Sequence, residues 1–335
     1  MTTKDIIVIG SSAGGVDALC RLCAALPADL PATVLVAQHL SPSARSLLPQ
    51  LLDRAGPLPV LTPVDGQPIE RGHIYVAGPD HHLLLRPGKV LVRRGPYENR
   101  TRPAINPLFR SAALAYGSRV VGVVLTGLLD DGTDGLIAIK AAGGTSVVQD
   151  PDDAEWPSMP RNAVKRDHVD LVVPLRELAS RLAEITMEDA GPSIPLPDEY
   201  TTEDLIAAQE FAVMEPQIQT PGHASKFSCP DCGGVLNEIH TANELRFRCQ
   251  VGHAFTPLGL ADAQNSELER ALGIAVRTHR DRIRLFVKMA ESAQARGLPH
   301  AVARWKQASS ESEQMIAVLE QATTTLRKPK VDEVG

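Results

Sequence analysis

IVIGSSAGGVDAL, Ile7–Leu19, is an apolar run that ends in small residues and passes into a helix-like pattern. Continuous β-branched residues fit a strand buried on both faces, as in a parallel sheet. Next comes Gly10–Ser11–Ser12–Ala13–Gly14, a G-x-S-x-G pattern between strand and helix. A sharp turn there lifts the Ser12 hydroxyl above the carboxyl edge of the sheet, and small neighbours leave it room. The first amides of the following helix lack intrahelical partners and carry the positive end of its dipole, which suits a developing oxyanion. A phosphate-cradling loop and a purely structural turn are open readings of the same residues. The spacing is not G-x-G-x-x-G, and no Walker lysine follows.

Working outward, apolar β-rich runs recur at Asp5–Gly10, Thr33–Gln38, Val60–Val64, His73–Ala77, Val120–Gly127, Thr145–Gln149 and Asp170–Pro174. Helix-like patterns lie between several of them, at Gly15–Leu26, Ala44–Ala55, Asn106–Tyr116 and Gly132–Ala142. That alternation predicts a doubly wound α/β domain with a mostly parallel sheet, over about residues 1–187. His82–Leu85 and Val90–Arg94 flank a Pro-Gly turn and predict an inserted β-hairpin, with His81 and His82 on its surface. Residues 188–226 are rich in proline and small polar residues and predict a linker around one short helix, Thr202–Met214. Residues 227–257 form a compact Cys-containing piece. Residues 258–328 predict a helical hairpin broken at Gly297–Leu298–Pro299. In its second half Val302, Trp305, Ser309, Ser312, Ile316, Leu319, Thr323 and Leu326 make a heptad-like stripe. The stripe fits a hairpin packing on itself, or a partner-binding or dimerising surface.

An activated serine needs an imidazole to take its proton. Of the ten histidines, His39 directly follows the run Thr33–Gln38, at a strand's carboxyl end, where the sites of open α/β sheets gather. A structural histidine is the competing reading. A carboxylate to orient the imidazole should sit at another strand end, and Asp130, Asp131 and Asp134 crowd the end of Val120–Gly127. Capping or solvation accounts for some of the three, and physics alone does not choose among them. The order Ser…His…Asp separates this chain from the α/β-hydrolases, whose order is Ser…Asp…His.

The formal charge of −6 gives no electrostatic reason to expect nucleic acid. The N-terminus lacks a secretory pattern, and no apolar run reaches the length needed to span a bilayer, so the expected location is cytoplasmic, without membrane insertion. Five cysteines, an odd number, argue against a disulfide framework in that setting. Cys229 and Cys232 form a knuckle-like turn, and Cys249 and His253 follow after a predicted hairpin, Val235–His240 with Glu244–Arg248. Three thiolates and one imidazole suit a closed tetrahedral structural zinc site in a zinc-ribbon-like module. Buried reduced thiols are the alternative. Cys20 and Cys23 lie on an apolar helix and read as packing. The C-terminal half is expected to dock protein partners rather than nucleic acid, since it has no aromatic ladder.

The segments IGSSAGGVDAL (Ile9–Leu19), QHL (Gln38–Leu40), INPLFRSAA (Ile105–Ala113), VVLTGLLDDGTDGL (Val123–Leu136) and QDP…SMPRNAV (Gln149–Val164) together resemble the CheB-type chemotaxis receptor methylesterase domain, in family order over about residues 5–183. The resemblance implies Ser12 as nucleophile, His39 as base and Asp131 as orienting acid. It implies that amides near Ala13, Gly14 and Gly15 hold the oxyanion, with Leu128 bordering the site and Met159–Pro160–Arg161 as a loop lining the cleft. It implies hydrolysis of glutamyl methyl esters on methyl-accepting chemotaxis receptors, without a catalytic cofactor, and permits glutamine deamidation. Further chemotaxis signalling partners would bind the C-terminal region. A non-catalytic receptor-binding regulator or scaffold is the alternative. Ala13 replaces the family's usual threonine, and Leu128–Leu129 its methionine and glycine. Many family members carry a receiver domain ahead of the first catalytic strand. This sequence opens on that strand, so the expectation is activity that is constitutive or controlled in trans.

Overall fold

The computed structural model describes residues 2–42, 46–167, 169–209, 222–241 and 244–326. One compact unit runs to Leu260 and a second begins at Ala261.

In the first unit, seven strands form one sheet: β1 (Ile6–Ser11), β2 (Thr33–Gln38), β3 (Val60–Leu61), β4 (Ile74–Val76), then, beyond a hairpin, β7 (Val120–Val124), β8 (Thr145–Gln149) and β9 (Leu171–Val173). Their order is β3-β4-β2-β1-β7-β8-β9, and every pairing is parallel. Helices α1 (Gly15–Ala25), α2 (Leu48–Ala55) and α6 (Leu175–Ile185) supply one apolar layer. Helices α3 (Ile105–Tyr116), α4 (Thr133–Ala141) and α5 (Ser158–Asp167) supply the other. All of β1 and β2 is buried, as their unbroken apolar runs predict. From β1 the chain winds one way to β2 and later the other way to β7, so the switch point of the sheet lies beside β1. Ligand sites of such sheets open at the carboxyl ends of the strands flanking that point.

The hairpin β5 (His82–Arg86) with β6 (Lys89–Arg93) stands apart as its own two-stranded sheet. Leu83, Leu85 and Val90 pack with the residues of α3, while Leu84 and Leu91 meet Ala207 and Ala208 at the end of α7 (Asp198–Ala207). Both faces are therefore covered, and the expected surface position of His82 is corrected. It is fully buried, its Nε2 bonded to the Pro96 carbonyl at 2.9 Å and its Nδ1 accepting from the Ala104 amide at 3.2 Å. The helix expected at Thr202–Met214 begins earlier, at Asp198, and residues 210–221 lie outside the described part. Cys23 sits in the core, where burial pushes its thiol up to about 12.

Four antiparallel strands follow: β10 (His223–Ser228), β11 (Val235–Thr241), β12 (Glu244–Cys249) and β13 (Ala254–Phe255). Two long helices then span Pro257–Ala295 and Pro299–Leu326. In the second unit the Trp305 ring stacks on Phe286, and Arg280 reaches Glu320 at 2.9 Å. All eight residues of the heptad-like stripe lie on the less exposed face of their helix, which fits a hairpin packing on itself. Among the described residues, no helix is long and apolar enough to cross a membrane.

Candidate active site

Parallel pairing aligns Ser11 with Gln38, so the residues that follow, Ser12 and His39, leave adjacent strands at one level. The His39 amide donates to the Ser11 carbonyl at 3.1 Å, and the Ser12 amide to the Thr126 carbonyl beyond β7, also at 3.1 Å. These bonds extend the sheet one rung past its last strand residues. Gln38 braces the pair: its Nε2 donates to the Ser12 carbonyl at 2.8 Å and the His39 carbonyl at 3.0 Å, while its Oε1 accepts from the Ser11 hydroxyl at 2.6 Å.

Ser12 Oγ lies 3.1 Å from His39 Nδ1, and His39 Nε2 lies 2.7 Å from Asp131 Oδ2. The three side chains come from three strand ends. With the Nε2 proton donated to the carboxylate, Nδ1 is left as the acceptor facing the hydroxyl. Such an arrangement can move the Ser12 proton to the ring while the carboxylate balances the imidazolium.

Asp131 is held from behind. Its Oδ2 also accepts the Ile105 amide at 2.8 Å and its Oδ1 the Asn106 amide at 3.3 Å, both in the first turn of α3. The carboxylate thus caps a helix whose own N-cap, Ala104, supplies no side-chain bond. Asn106 returns the favour to α4, its Oδ1 accepting the Gly132 amide at 3.0 Å and the Gly135 amide at 2.9 Å. The neighbouring acids have other duties. Asp130 accepts from Thr256 Oγ1 at 2.7 Å and Arg166 Nη1 at 2.8 Å; burial, then the Asp134 charge, pushes it up to about 7. Asp134 pairs with Arg166 at 3.5 Å.

Gly14 opens α1 with φ +72°, a left-handed conformation that favours glycine. The Gly15 amide is taken by the Ser12 carbonyl at 3.0 Å, so it does not belong with the oxyanion donors expected near Ala13–Gly15. Among the described residues the Ala13 and Gly14 amides have no backbone partner and remain candidates. Met159 starts a helix rather than a loop and is fully buried, a correction to its expected place on the cleft wall. A Cβ added at Gly127 would stand 2.7 Å from Met159 Cε and 2.8 Å from Ser12 Cβ, so both residues pack close against this glycine. Leu128 is exposed on the rim. Leu129 has φ +61°, strained for a branched side chain.

Two polar groups beside the triad carry no sequence signal that singles them out. Asn99 Nδ2 donates to Asp131 Oδ1 at 3.4 Å, and Thr101 Oγ1 stands 3.4 Å from His39 Nε2.

A second cluster gathers Cys229, Cys232, Cys249 and His253, with one ligand atom from each within 4.8 Å of the others. His253 Nδ1 lies 3.6 Å from both Cys229 Sγ and Cys249 Sγ, and Cys232 Sγ lies 3.7 Å from Cys249 Sγ. Tetrahedral bonds of about 2.3 Å to sulfur and about 2.0 Å to nitrogen give edges of about 3.8 Å and about 3.5 Å. These three separations match the edges of a tetrahedral metal site.

A parallel α/β sheet with Ser, His and Asp converging at its switch point defines the class. Within that class, the CheB methylesterase family model matches residues 7–182, and the chain belongs to that family. It is 40% identical over 191 residues to protein-glutamate methylesterase/protein-glutamine glutaminase 4 of Myxococcus xanthus, covering 57% of this chain and 54% of that protein. It is 35% identical over 192 residues to protein-glutamate methylesterase/protein-glutamine glutaminase 2 of Methanosarcina mazei, covering 55% and 52%. The chain spans about half the length of the curated relatives it matches. The crystal structure of the Thermotoga maritima CheB methylesterase catalytic domain superposes with a TM-score of 0.52 at 32% identity, covering 55% of this chain and 99% of that one.

Proposed function

We propose that this protein is a serine esterase that hydrolyses glutamyl methyl esters on methyl-accepting chemotaxis receptors, in the cytoplasm. The relay from Ser12 through His39 to Asp131, at 3.1 Å and 2.7 Å, carries the reading. His39 takes the Ser12 proton as Oγ attacks the ester carbonyl, and the Ala13 and Gly14 amides receive the oxyanion. Protonated His39 then gives that proton to the departing methoxide, releasing methanol. Water, deprotonated by His39, attacks the acyl-enzyme, and His39 returns that proton to Ser12 Oγ as the glutamate leaves. An amide can enter the same cycle with ammonia as leaving group, and the relatives' second name, protein-glutamine glutaminase, supports deamidation as a further activity.

The parts divide by role: residues 1–187 for catalysis, 188–226 as connection, 227–257 as a zinc-ribbon-like module and 258–328 as a helical hairpin. The C-terminal region would dock further chemotaxis signalling proteins. Cys229, Cys232, Cys249 and His253 would hold a structural zinc ion, which closes a module too small to bury a sufficient core alone. Methanol release from methylated receptor fragments tests the central reading. Ser12→Ala should lose it while keeping its circular dichroism spectrum; full release by that variant refutes the triad.

A further inference from the structure

Between the two clusters runs one short turn, Glu98–Thr101, which touches both. Its closing bond is Thr101 N–H to the Glu98 carbonyl at 3.0 Å. The central residues Asn99 and Arg100 have φ +49° and +60°. Two consecutive left-handed non-glycine residues are disfavoured on their own, so partners outside the turn must hold it.

Those partners belong to the Cys/His module. The Ala254 amide, directly after His253, donates to the Tyr97 carbonyl at 3.1 Å, and the Asn99 amide donates back to the Ala254 carbonyl at 2.8 Å. Arg100 Nε lies 3.5 Å from Asp231, inside the Cys229–Cys232 knuckle. Glu98 is fully buried; burial raises its pKa, but the charges of Arg110 and of Arg248, which precedes Cys249, outweigh this and hold it ionised. Its Oε1 sits 2.7 Å from Arg110 and 3.1 Å from Arg248. On the inner side the same turn delivers Asn99 to Asp131 and Thr101 to His39. Asn99 Oδ1 also accepts the Thr256 amide at 3.0 Å, while the Thr256 hydroxyl bonds Asp130 beside the triad acid.

We infer that the Cys/His module is a clamp on the Glu98–Thr101 turn, and that Asn99 and Thr256 are positioning residues transmitting metal occupancy to the Asp131–His39 pair. This rests on the esterase reading above and on the cluster taking zinc. Metal binding to such a module is also folding energy for it, so loss of the ion frees both the knuckle that holds Arg100 and the strand that holds Asn99. The turn then relaxes toward ordinary backbone angles, and Asn99 leaves Asp131. The ion touches no reacting atom.

The test uses the full chain and two independent readouts. Turnover is followed with p-nitrophenyl acetate, and deuterium uptake is followed over residues 97–105 and 128–133. Chelating wild-type protein, or replacing Cys232 by serine, should raise uptake in both segments and lower kcat roughly ten- to a hundredfold with little change in KM. Asn99→Ala, with its metal content intact by mass spectrometry, should reproduce the kcat loss, shift the pH profile of kcat and make chelation nearly without further effect. Thr256→Val keeps the amide bond to Asn99 and loses the hydroxyl bond to Asp130, so it should lower kcat by less than Asn99→Ala, and Thr256→Ser should restore the rate. If chelation unfolds the protein, the metal-loaded Asn99 and Thr256 variants decide. Unchanged kcat and unchanged uptake in folded, metal-free or Asn99→Ala protein overturn the clamp. Uptake that rises on chelation, in a chain whose metal-loaded form shows no Ser12-dependent turnover, keeps the clamp and sinks the esterase reading instead.

Discussion

Asp5 and Asp131 are both buried aspartates at the ends of the same sheet, yet they serve opposite purposes. Asp5 precedes β1 at the amino edge, where Arg119 grips it with two bonds, at 2.8 and 2.9 Å, and Arg71 adds a third. Its charge is spent on fixed cations. Asp131 follows β7 at the carboxyl edge and meets backbone amides and an imidazole, with no guanidinium or ammonium bonded to it among the described residues. Amide dipoles stabilise its charge without cancelling it, which leaves it free to support a cation forming on His39. The same residue type is a rivet at one edge and faces an imidazole at the other, where the proposed reaction would use it as a support.

Asp131→Asn should break this contrast most sharply: kcat should fall on the order of 10⁴-fold, measured by methanol release, because the imidazole loses its orienting partner. Asp5→Asn should leave kcat unchanged and lower stability by about 1–3 kcal/mol in urea unfolding. The sign of its pH dependence follows from the pKa. Burial raises it, but the bonds from Arg119 and Arg71 overcome this and hold it below the ordinary aspartate range. The stabilisation from Asp5 is thus present above the unfolded-state pKa and fades as pH falls through the folded one. The gap between wild type and Asp5→Asn should close in acid, and a gap that widens there would contradict the assignment. Smallest is Leu129→Gly, which should gain about 1 kcal/mol by relieving the left-handed backbone between β7 and Asp131. A loss on that substitution would mean the leucine side chain contributes more than its backbone costs.

The strands nearest the site were readable because each is an unbroken apolar run with a small or polar residue at its end. β2 begins and ends where that pattern does, so His39 directly follows the strand's carboxyl end. β3 stops at Leu61, short of the expected Val64, where Pro63 lacks the amide a ladder needs. Charge and placement in the sequence do not separate Asp131 from Asp130 and Asp134; the difference lies in its contacts, the amides of α3 and the His39 ring, which come from distant parts of the chain. Asn99 and Thr256, 157 residues apart and bonded to each other, carry no local signature. His82 is buried because its hairpin is covered on both faces, and the unbroken apolar runs Leu83–Leu85 and Val90–Val92 are the pattern of such a hairpin.

The exchange of caps between α3 and α4 ties the geometry of the Ser12–His39–Asp131 cluster to the docking of both helices. Neither helix supplies its own first-turn acceptor: Asp131 completes α3, and Asn106 completes α4. Each end should therefore mature only once the other has docked, with the imidazole meeting its partner at that stage. During refolding, recovery of the proposed esterase turnover should trail the appearance of helix and coincide with final side-chain packing, so that turnover would time the last step of folding.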